Sequence, residues 1–280
     1  MSDSLSAQLT VSGHLDLSSY DSRATTGFDG KKADAEAALA ELGTELGDLQ
    51  ERLFAGGRTG SSQARVLVVL QGMDTAGKGG IVRHVAGLAD PQGLDVTSFK
   101  KPTPEELEHD FLWRIEKALP EPGMIGIFDR SHYEDVLIGK VRQLAGIKEI
   151  ARRYAAINDF EKAFTDAGGV LVKCFLHITA DDQKERLTER LEDPTKYWKF
   201  NPGDLDERML WDEYQEAYAV ALERCSTFDA PWHLIPSGRK WYRNWAVATL
   251  LTDQLRALDL QWPEADFDVD EQKQRLADMP

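Results

Sequence analysis

Residues 72–80 read Gly72-Met73-Asp74-Thr75-Ala76-Gly77-Lys78-Gly79-Gly80, directly after the apolar run Val66-Leu67-Val68-Val69-Leu70. A buried strand that runs into a glycine-rich turn with one lysine is suited to phosphate. Backbone N–H groups in such a turn point inward at anionic oxygens, and the start of the next helix adds a partial positive charge. Gly72, Gly77 and Lys78 satisfy the phosphate-loop pattern. Gly79 departs from it, because the pattern has Ser or Thr there to hold magnesium. The loop therefore predicts phosphate handling with an altered metal site, with Gly72, Gly77, Gly79 and Gly80 around the anion. The alternative is a turn that binds nothing. The order of strand, loop and helix argues against it.

Two acids stand where a metal is needed. Asp74 lies inside the loop, and a carboxylate among donors meant for phosphate is electrostatically awkward. It makes sense as a magnesium ligand or as the group that orients an attacking phosphate oxygen; an Asx-turn that shapes the loop is the plainer reading. Asp129 ends the apolar run Met124-Ile125-Gly126-Ile127-Phe128, where phosphate-loop proteins place a magnesium-coordinating carboxylate. Arg130 follows it and would meet a phosphate group, or else would simply pair with Asp129 at a helix start. We take His132 as structural or positioning, since transfer between phosphate oxygens needs no strong base.

Cations supply the rest. Arg186 and Arg190 sit four apart on one helix face, with Lys196, Tyr197, Trp198 and Lys199 beyond Pro194. An arginine on a mobile element can offset charge on a transferring phosphoryl group; mixed charges on a helix are more often a solvated face. Ser237-Gly238-Arg239-Lys240-Trp241-Tyr242-Arg243 offers three cations and two aromatics, for phosphates, for stacking a base, or as an ordinary helix start.

The elements that must position these groups follow from hydrophobic period. Leu39, Leu42, Leu46, Leu49 and Leu53 form a stripe on a helix from Lys31 that Gly56-Gly57 end. The stripe serves the core or subunit pairing. Val96–Phe99 predicts a short strand. Thr103, Pro104 and Glu106 predict a capped helix start, with Leu107, Phe111 and Ile115 on its face. A helix over 149–166, a strand over 170–178, a helix capped by Thr179, a helix from Asp204, a strand over 232–235 and a final helix over 241–258 complete the series. Strands alternating with helices predict a parallel sheet covered on both faces, with ligands beyond the carboxyl ends of its strands. The expected organisation is an N-terminal arm over 1–30, partly ordered; one α/β phosphotransferase domain over 31–262 with a helical lid at about 180–210; and an acidic, solvated tail over 263–280.

Composition sets outer limits. The chain has 280 residues, 42% of them hydrophobic, and a formal net charge of -15. That charge argues against nonspecific binding to nucleic acid and demands that cations converge locally if a polyanion is to bind. Cys174 and Cys225 form no close metal-ligand pair, which fits a reducing cytoplasm. No secretory signal and no bilayer-spanning run are expected.

Taken together these residues resemble the polyphosphate kinase-2 family. The resemblance rests on the loop string, on Asp129-Arg130-Ser131-His132-Tyr133-Glu134-Asp135-Val136-Leu137, on Asp193-Pro194-Thr195-Lys196-Tyr197-Trp198-Lys199, and on Arg239-Lys240-Trp241-Tyr242-Arg243-Asn244. It covers the chain from about residue 30 to about 260, and the loop aspartate without the loop hydroxyl is particular to that family. It implies a phosphate-loop kinase fold like thymidylate kinase. It implies phosphoryl transfer between inorganic polyphosphate and a nucleotide, dependent on magnesium or on manganese in its place. The nucleotides would be ADP and AMP, with guanine as a second base, and the subunits would form homodimers or homotetramers. By this likeness Asp74 and Asp129 organise metal and acceptor phosphate, and Lys78 with the loop amides holds the reacting phosphates. Arg130, with Arg186 or Arg190, offsets charge. Lys100, Lys196, Lys199, Arg239 and Lys240 are candidates to line the polyphosphate path, together with Lys101, Lys140 and Arg142. Two other functions compete: an ATP-dependent nucleoside monophosphate kinase, which would be expected to carry Ser or Thr at position 79, and a nucleotide-sensing module without turnover.

Overall fold

Five apolar runs become the strands of one sheet in the structure, a computed structural model that describes residues 4–280. They are β1 (Arg65–Gln71), β2 (Leu94–Ser98), β3 (Ile125–Asp129), β4 (Gly169–His177) and β5 (Trp232–Pro236). Their spatial order is β2-β3-β1-β4-β5 and every pairing is parallel. The three central strands are rich in Val, Ile, Leu and Phe, broken by Gly126 in β3 and by Lys173 and Cys174 in β4, and are buried on both faces, as a sheet covered by helices requires.

Helices make the crossovers. In chain order they are α1 (Leu5–Leu9), α2 (Lys32–Thr59), α3 (Lys78–His84), α4 (Trp113–Glu116), α5 (Glu134–Val141), α6 (Ile147–Asp166), α7 (Ala180–Glu192), α8 (Gly203–Arg208), α9 (Trp211–Cys225), α10 (Lys240–Ala257) and α11 (Val269–Ala277). Register decides where the chemistry falls. Leu70 lies opposite Asp129 and Gln71 opposite Phe175. Strands β1, β3 and β4 thus end nearly level, and the glycine loop, Arg130 and Thr179 leave from one edge.

Several local expectations are corrected. Helix α2 does not stop at Gly56-Gly57 but runs on to Thr59, and Gly60 ends it in the left-handed region (φ 72°). Those glycines serve close approach: a Cβ on Gly57 would lie 2.3 Å from the Pro122 carbonyl oxygen. The Thr103–Glu106 capping box forms (3.2 and 2.8 Å), yet the helix it starts is only a 3₁₀ turn over Glu106–Glu108. The Asp110 carboxylate accepts from the Leu112 amide (3.1 Å), and this competing local bond delays helix until Trp113. The helix expected from Asp204 is two pieces, α8 and α9. Helix α5, inside the segment read for its motif, was not anticipated.

The arm is better packed than its composition suggests; its residues 1–3 lie outside the described residues. Leu5, Leu9, Val11, Leu15 and Leu17 are buried in the main core, and Thr10 bridges to His233 of β5. At the other end α11, capped by Asp268, buries none of its residues.

Candidate active site

The sequence Gly-rich after β1 does two things at once: it turns the chain sharply and leaves backbone polar groups without a ladder. Gly72 (φ 146°) and Gly77 (φ 115°) take conformations that favour glycine, and Thr75 is forced to φ 69°. Non-glycine residues in this region carry strain of about 1–3 kcal/mol and cluster at functional sites. Of the loop amides, Ala76 donates to the Met73 carbonyl and Gly80 to the Gly77 carbonyl. The amides of Asp74, Thr75, Gly77, Lys78 and Gly79 have no backbone acceptor among the described residues. They are five free donors at the start of α3, the arrangement an anion occupies. Lys78 is buried, and its Nζ donates to the Gly72 carbonyl (2.7 Å) at the mouth of this nest.

Asp74 lies in the loop, and Asp129 ends the strand paired beside β1. Asp74 Oδ1 accepts from Arg130 Nη2 at 2.9 Å. Burial alone would raise the Asp74 carboxyl, but Lys78 and Arg130 outweigh it and hold it below the usual range, with Arg190 adding to the pull. Asp129, at the end of β3, is half-buried, and its carboxylate has no hydrogen bond or ion pair among the described residues. An unpaired half-buried acid at a strand end is free to accept a cation. Magnesium is bound through one or two carboxylates plus phosphate oxygens and water rather than by an all-protein cage. Among the described residues no three acidic, histidine or cysteine side chains converge as such a cage. The donor set therefore fits magnesium.

Arg130 is held at φ 66° by its amide bond to the Leu70 carbonyl (3.2 Å). Its guanidinium lies between Asp74 and Glu134 (3.8 Å), which keep it protonated against burial. Glu134, the first residue of α5, was quoted in a motif but not singled out. Burial pushes its carboxyl up, against the pull of Arg130 and Lys78. Gly72, Met73, Asp74, Arg130, Glu134, Tyr214 and Tyr218 line a cavity of about 100 Å³. Larger cavities, of about 550 Å³ under the arm and about 620 Å³ beside Leu144 and Ile147, share no residue with the loop.

Beneath this edge lies a buried ionic network. Lys173 Nζ donates to Glu161 (2.5 Å), to the Cys225 carbonyl (2.7 Å) and to the Tyr133 hydroxyl (3.1 Å). Tyr133 donates to Glu161 (2.7 Å), and His132 Nε2 stands 3.2 Å from it. His132 and Tyr133 thereby anchor the segment that carries Asp129 and Arg130.

The lid region separates the two arginines. Arg190 Nη1 bonds the Lys199 carbonyl (2.9 Å) and Asp204 (3.4 Å), and its charge acts on Asp74. Arg186 instead bonds backbone carbonyls. Its Nη1 bonds the Thr75 and Ala76 carbonyls (2.9 and 3.2 Å), and its Nη2 bonds those of Ser237 and Gly238 (2.5 and 3.2 Å). The remaining lysines are spread out. Lys100 is exposed after β2, Lys196 pairs with Asp193 (3.1 Å), and Lys199 stacks over Trp198. Arg239 stacks over Trp241, and Lys240 pairs with Glu189 (3.3 Å). Lys140 and Arg142 are taken by Glu216 and Glu207. The cation of the 237–243 run that reaches the loop is Arg243: its Nη1 bonds the Ala76 carbonyl (3.2 Å). Nothing in spacing separates it from Arg239. The hint is the pair Gly77 and Gly80, which leave room for a side chain arriving from elsewhere.

A parallel sheet with a lysine-bearing glycine nest at its carboxyl edge and acids alongside defines a protein of the phosphate-loop kinase type. A profile of the family described as Polyphosphate kinase 2 (PPK2) matches residues 29–263. The AMP/ADP-polyphosphate phosphotransferase of Meiothermus ruber is 46% identical over 252 residues, covering 90% of this chain and 92% of that one. The ADP-polyphosphate phosphotransferase of Rhodopseudomonas palustris is 36% identical over 262 residues, covering 89% of each. The crystal structure of Polyphosphate Kinase 2 from Arthrobacter aurescens TC1 superposes with a TM-score of 0.96 at 52% identity, covering 99% of this chain and 98% of that one. The chain belongs to the polyphosphate kinase 2 family.

Proposed function

We propose that this enzyme moves a phosphoryl group between inorganic polyphosphate and a nucleoside phosphate, with both AMP and ADP as acceptors. The observation that carries the reading is the set of five unclaimed loop amides around buried Lys78, with Asp74 in the loop and Asp129 at the end of the adjacent strand β3. The relatives named above, AMP/ADP-polyphosphate and ADP-polyphosphate phosphotransferases, support the substrate classes.

In this reading the amides and Lys78 hold the anhydride that reacts. An oxygen of the acceptor's terminal phosphate attacks phosphorus, the anhydride P–O bond breaks, and the shortened polyphosphate leaves with the electron pair. Asp74 and Asp129 would hold magnesium, or manganese in its place, which neutralises phosphate oxygens when bound. Arg130, bridged between Asp74 and Glu134, moves onto phosphate as charge develops. Arg190 is the arginine of the lid assigned to the same task, because its charge already acts on Asp74; Arg186 is committed to carbonyls. Lys100, Lys196, Lys199, Arg239 and Lys240 are exposed or only half-buried, spread over the surface that a long polyanion would cross. The Leu39–Leu53 stripe packs inward in part, and homodimers or homotetramers remain part of the proposal. Among the described residues no helix is long and apolar enough to cross a membrane. A cytoplasmic setting is proposed with it.

The test is direct. Purified protein with long-chain polyphosphate and magnesium converts AMP to ADP and ADP to ATP, and chelation of the metal stops it. Transfer from ATP to AMP, with none from polyphosphate, makes the chain an ordinary monophosphate kinase. Binding of nucleotide with no transfer from either donor makes it a sensor.

A further inference from the structure

Five amides can face one anion only if the carbonyls of the same peptides are turned away and kept there. In this chain side chains from two helices do that. Gln183 of α7 donates to the Asp74 carbonyl (3.2 Å), Arg186 to those of Thr75 and Ala76, and Arg243 of α10 to that of Ala76. Arg186 also bonds the Ser237 and Gly238 carbonyls, so it ties the phosphate loop to the turn after β5.

The charges are unusual as well. Arg243 is 4% exposed, and its other side-chain partner is the neutral Asn244 amide oxygen (2.9 and 3.2 Å). The charge acting on it is that of Arg186, which, together with burial, brings its guanidinium down to about 10, still protonated at neutral pH. Neither arginine forms an ion pair among the described residues. Two cations therefore share one carbonyl behind the nest with no carboxylate bonded to either. A buried charge left unpaired in this way is costly, and an arriving polyanion offsets that cost.

We propose that Arg243 and Arg186 are positioning residues for phosphate: they act through the loop backbone, aiming its amides and supplying positive charge from behind, without touching substrate. Asp182, Glu185 and Glu189 offset that charge in part at Arg186 but not at Arg243. The glycines fit this account. A Cβ on Gly80 would come within 2.5 Å of Arg243 Nη2, and one on Gly77 still closer to Nη1. By contrast a Cβ on Gly79 meets nothing within 4 Å. Gly77 and Gly80 make room for the arginine behind the loop, whereas Gly79 opens toward solvent.

The inference rests on the proposed reaction, so the parent enzyme is assayed first; a parent that does not use polyphosphate refutes that reading and not this one. Arg243→Gln, folded by thermal melt, is expected to raise KM for polyphosphate at least 10-fold and to flatten its dependence on salt. Titration calorimetry with long-chain polyphosphate should show the same loss without turnover. Arg243→Lys keeps a charge but loses the planar fork, and should recover part of KM and little of kcat. Gly80→Ala, which pushes the guanidinium aside, should resemble Arg243→Gln and add nothing to it in the double variant. A merely structural role would lower the melting temperature and leave KM and its salt dependence unchanged. KM within twofold of the parent in folded Arg243→Gln, or additive effects in the double variant, overturns the proposal. If Arg243→Gln does not fold, unchanged KM in both Arg243→Lys and Gly80→Ala overturns it.

Discussion

Asp74 and Arg190 decide most at the scale of single residues. Asp74 is held ionised against burial by Lys78, Arg130 and Arg190. Asp74→Asn is expected to lower kcat about 10³-fold, the scale of losing a group that organises phosphoryl transfer, with the melting temperature nearly unchanged. A rate near that of the parent would return Asp74 to a role in loop shape. Arg190→Ala should lower kcat with little effect on stability. Arg186→Ala should also lower the melting temperature, since the Thr75, Ser237 and Gly238 carbonyls lose this donor and Ala76 keeps only Arg243. Equal melting temperatures for the two variants would contradict this division. The sequence distinguished neither arginine, because spacing on one helix face says nothing of what each tip meets. Arg190 turns to the lid and Arg186 passes under the loop, a difference set by the packing of α7 against the turn after β5.

Elements were legible where local signals agreed. The apolar runs fix β1, β3 and β4, and Thr179 with Asp182 forms the capping box that starts α7 (3.1 Å each way). Legibility failed where tertiary contact overrides propensity, as at Gly56-Gly57, or where a side chain diverts the backbone, as at Asp110. The arm is a further instance: a Ser- and Asp-rich stretch is ordered by its five buried aliphatic residues, with a buried histidine of β5 among its polar anchors. His233 Nδ1 stands 3.2 Å from the Lys173 carbonyl and so carries the proton, leaving Nε2 to accept from Ser6 (2.9 Å). Burial, more than any neighbour, lowers this imidazole from 6.5 to about 4. The unfolded chain therefore binds the extra proton first. Stability is full above pH 6.5 and is lost as pH falls from there toward 4, by about 3 kcal/mol in all. Amide protection factors over residues 5–20, with the intrinsic pH dependence of exchange divided out, are expected to fall between pH 7 and pH 5, and His233→Asn should remove that dependence. Protection factors that stay flat over this range would show that His233 does not anchor the arm.

The whole molecule carries a net charge of -15 yet gathers Lys78, Arg130, Arg186, Arg190 and Arg243 around one turn. Local potential, not the sum, governs what enters a cleft, and this is why a negative total is compatible with a polyanionic ligand. The wider fold was predictable from alternation of strand and helix. The cation cluster was not, since its members come from α3, the end of β3, α7 and α10 and meet only when the sheet is assembled.

One feature of the lid bears on how the donor is measured. From Pro194 to Arg208 neither the 3₁₀ turn nor α8 buries a single residue, and Trp198 is 79% exposed. The ties of this segment to the rest of the chain are polar: Arg190 bonds the Lys199 carbonyl and Asp204, and Arg208 bonds the Ala180 carbonyl. Short oligophosphates that end inside the nest should leave the segment unrecruited, while longer ones should pull it down. Specific activity is then expected to climb with the number of phosphate units and to level off once the chain spans the distance from Lys78 to Lys199. An enzyme built so would act as a ruler, working fastest on polymer and leaving a residue of stubs too short to close it.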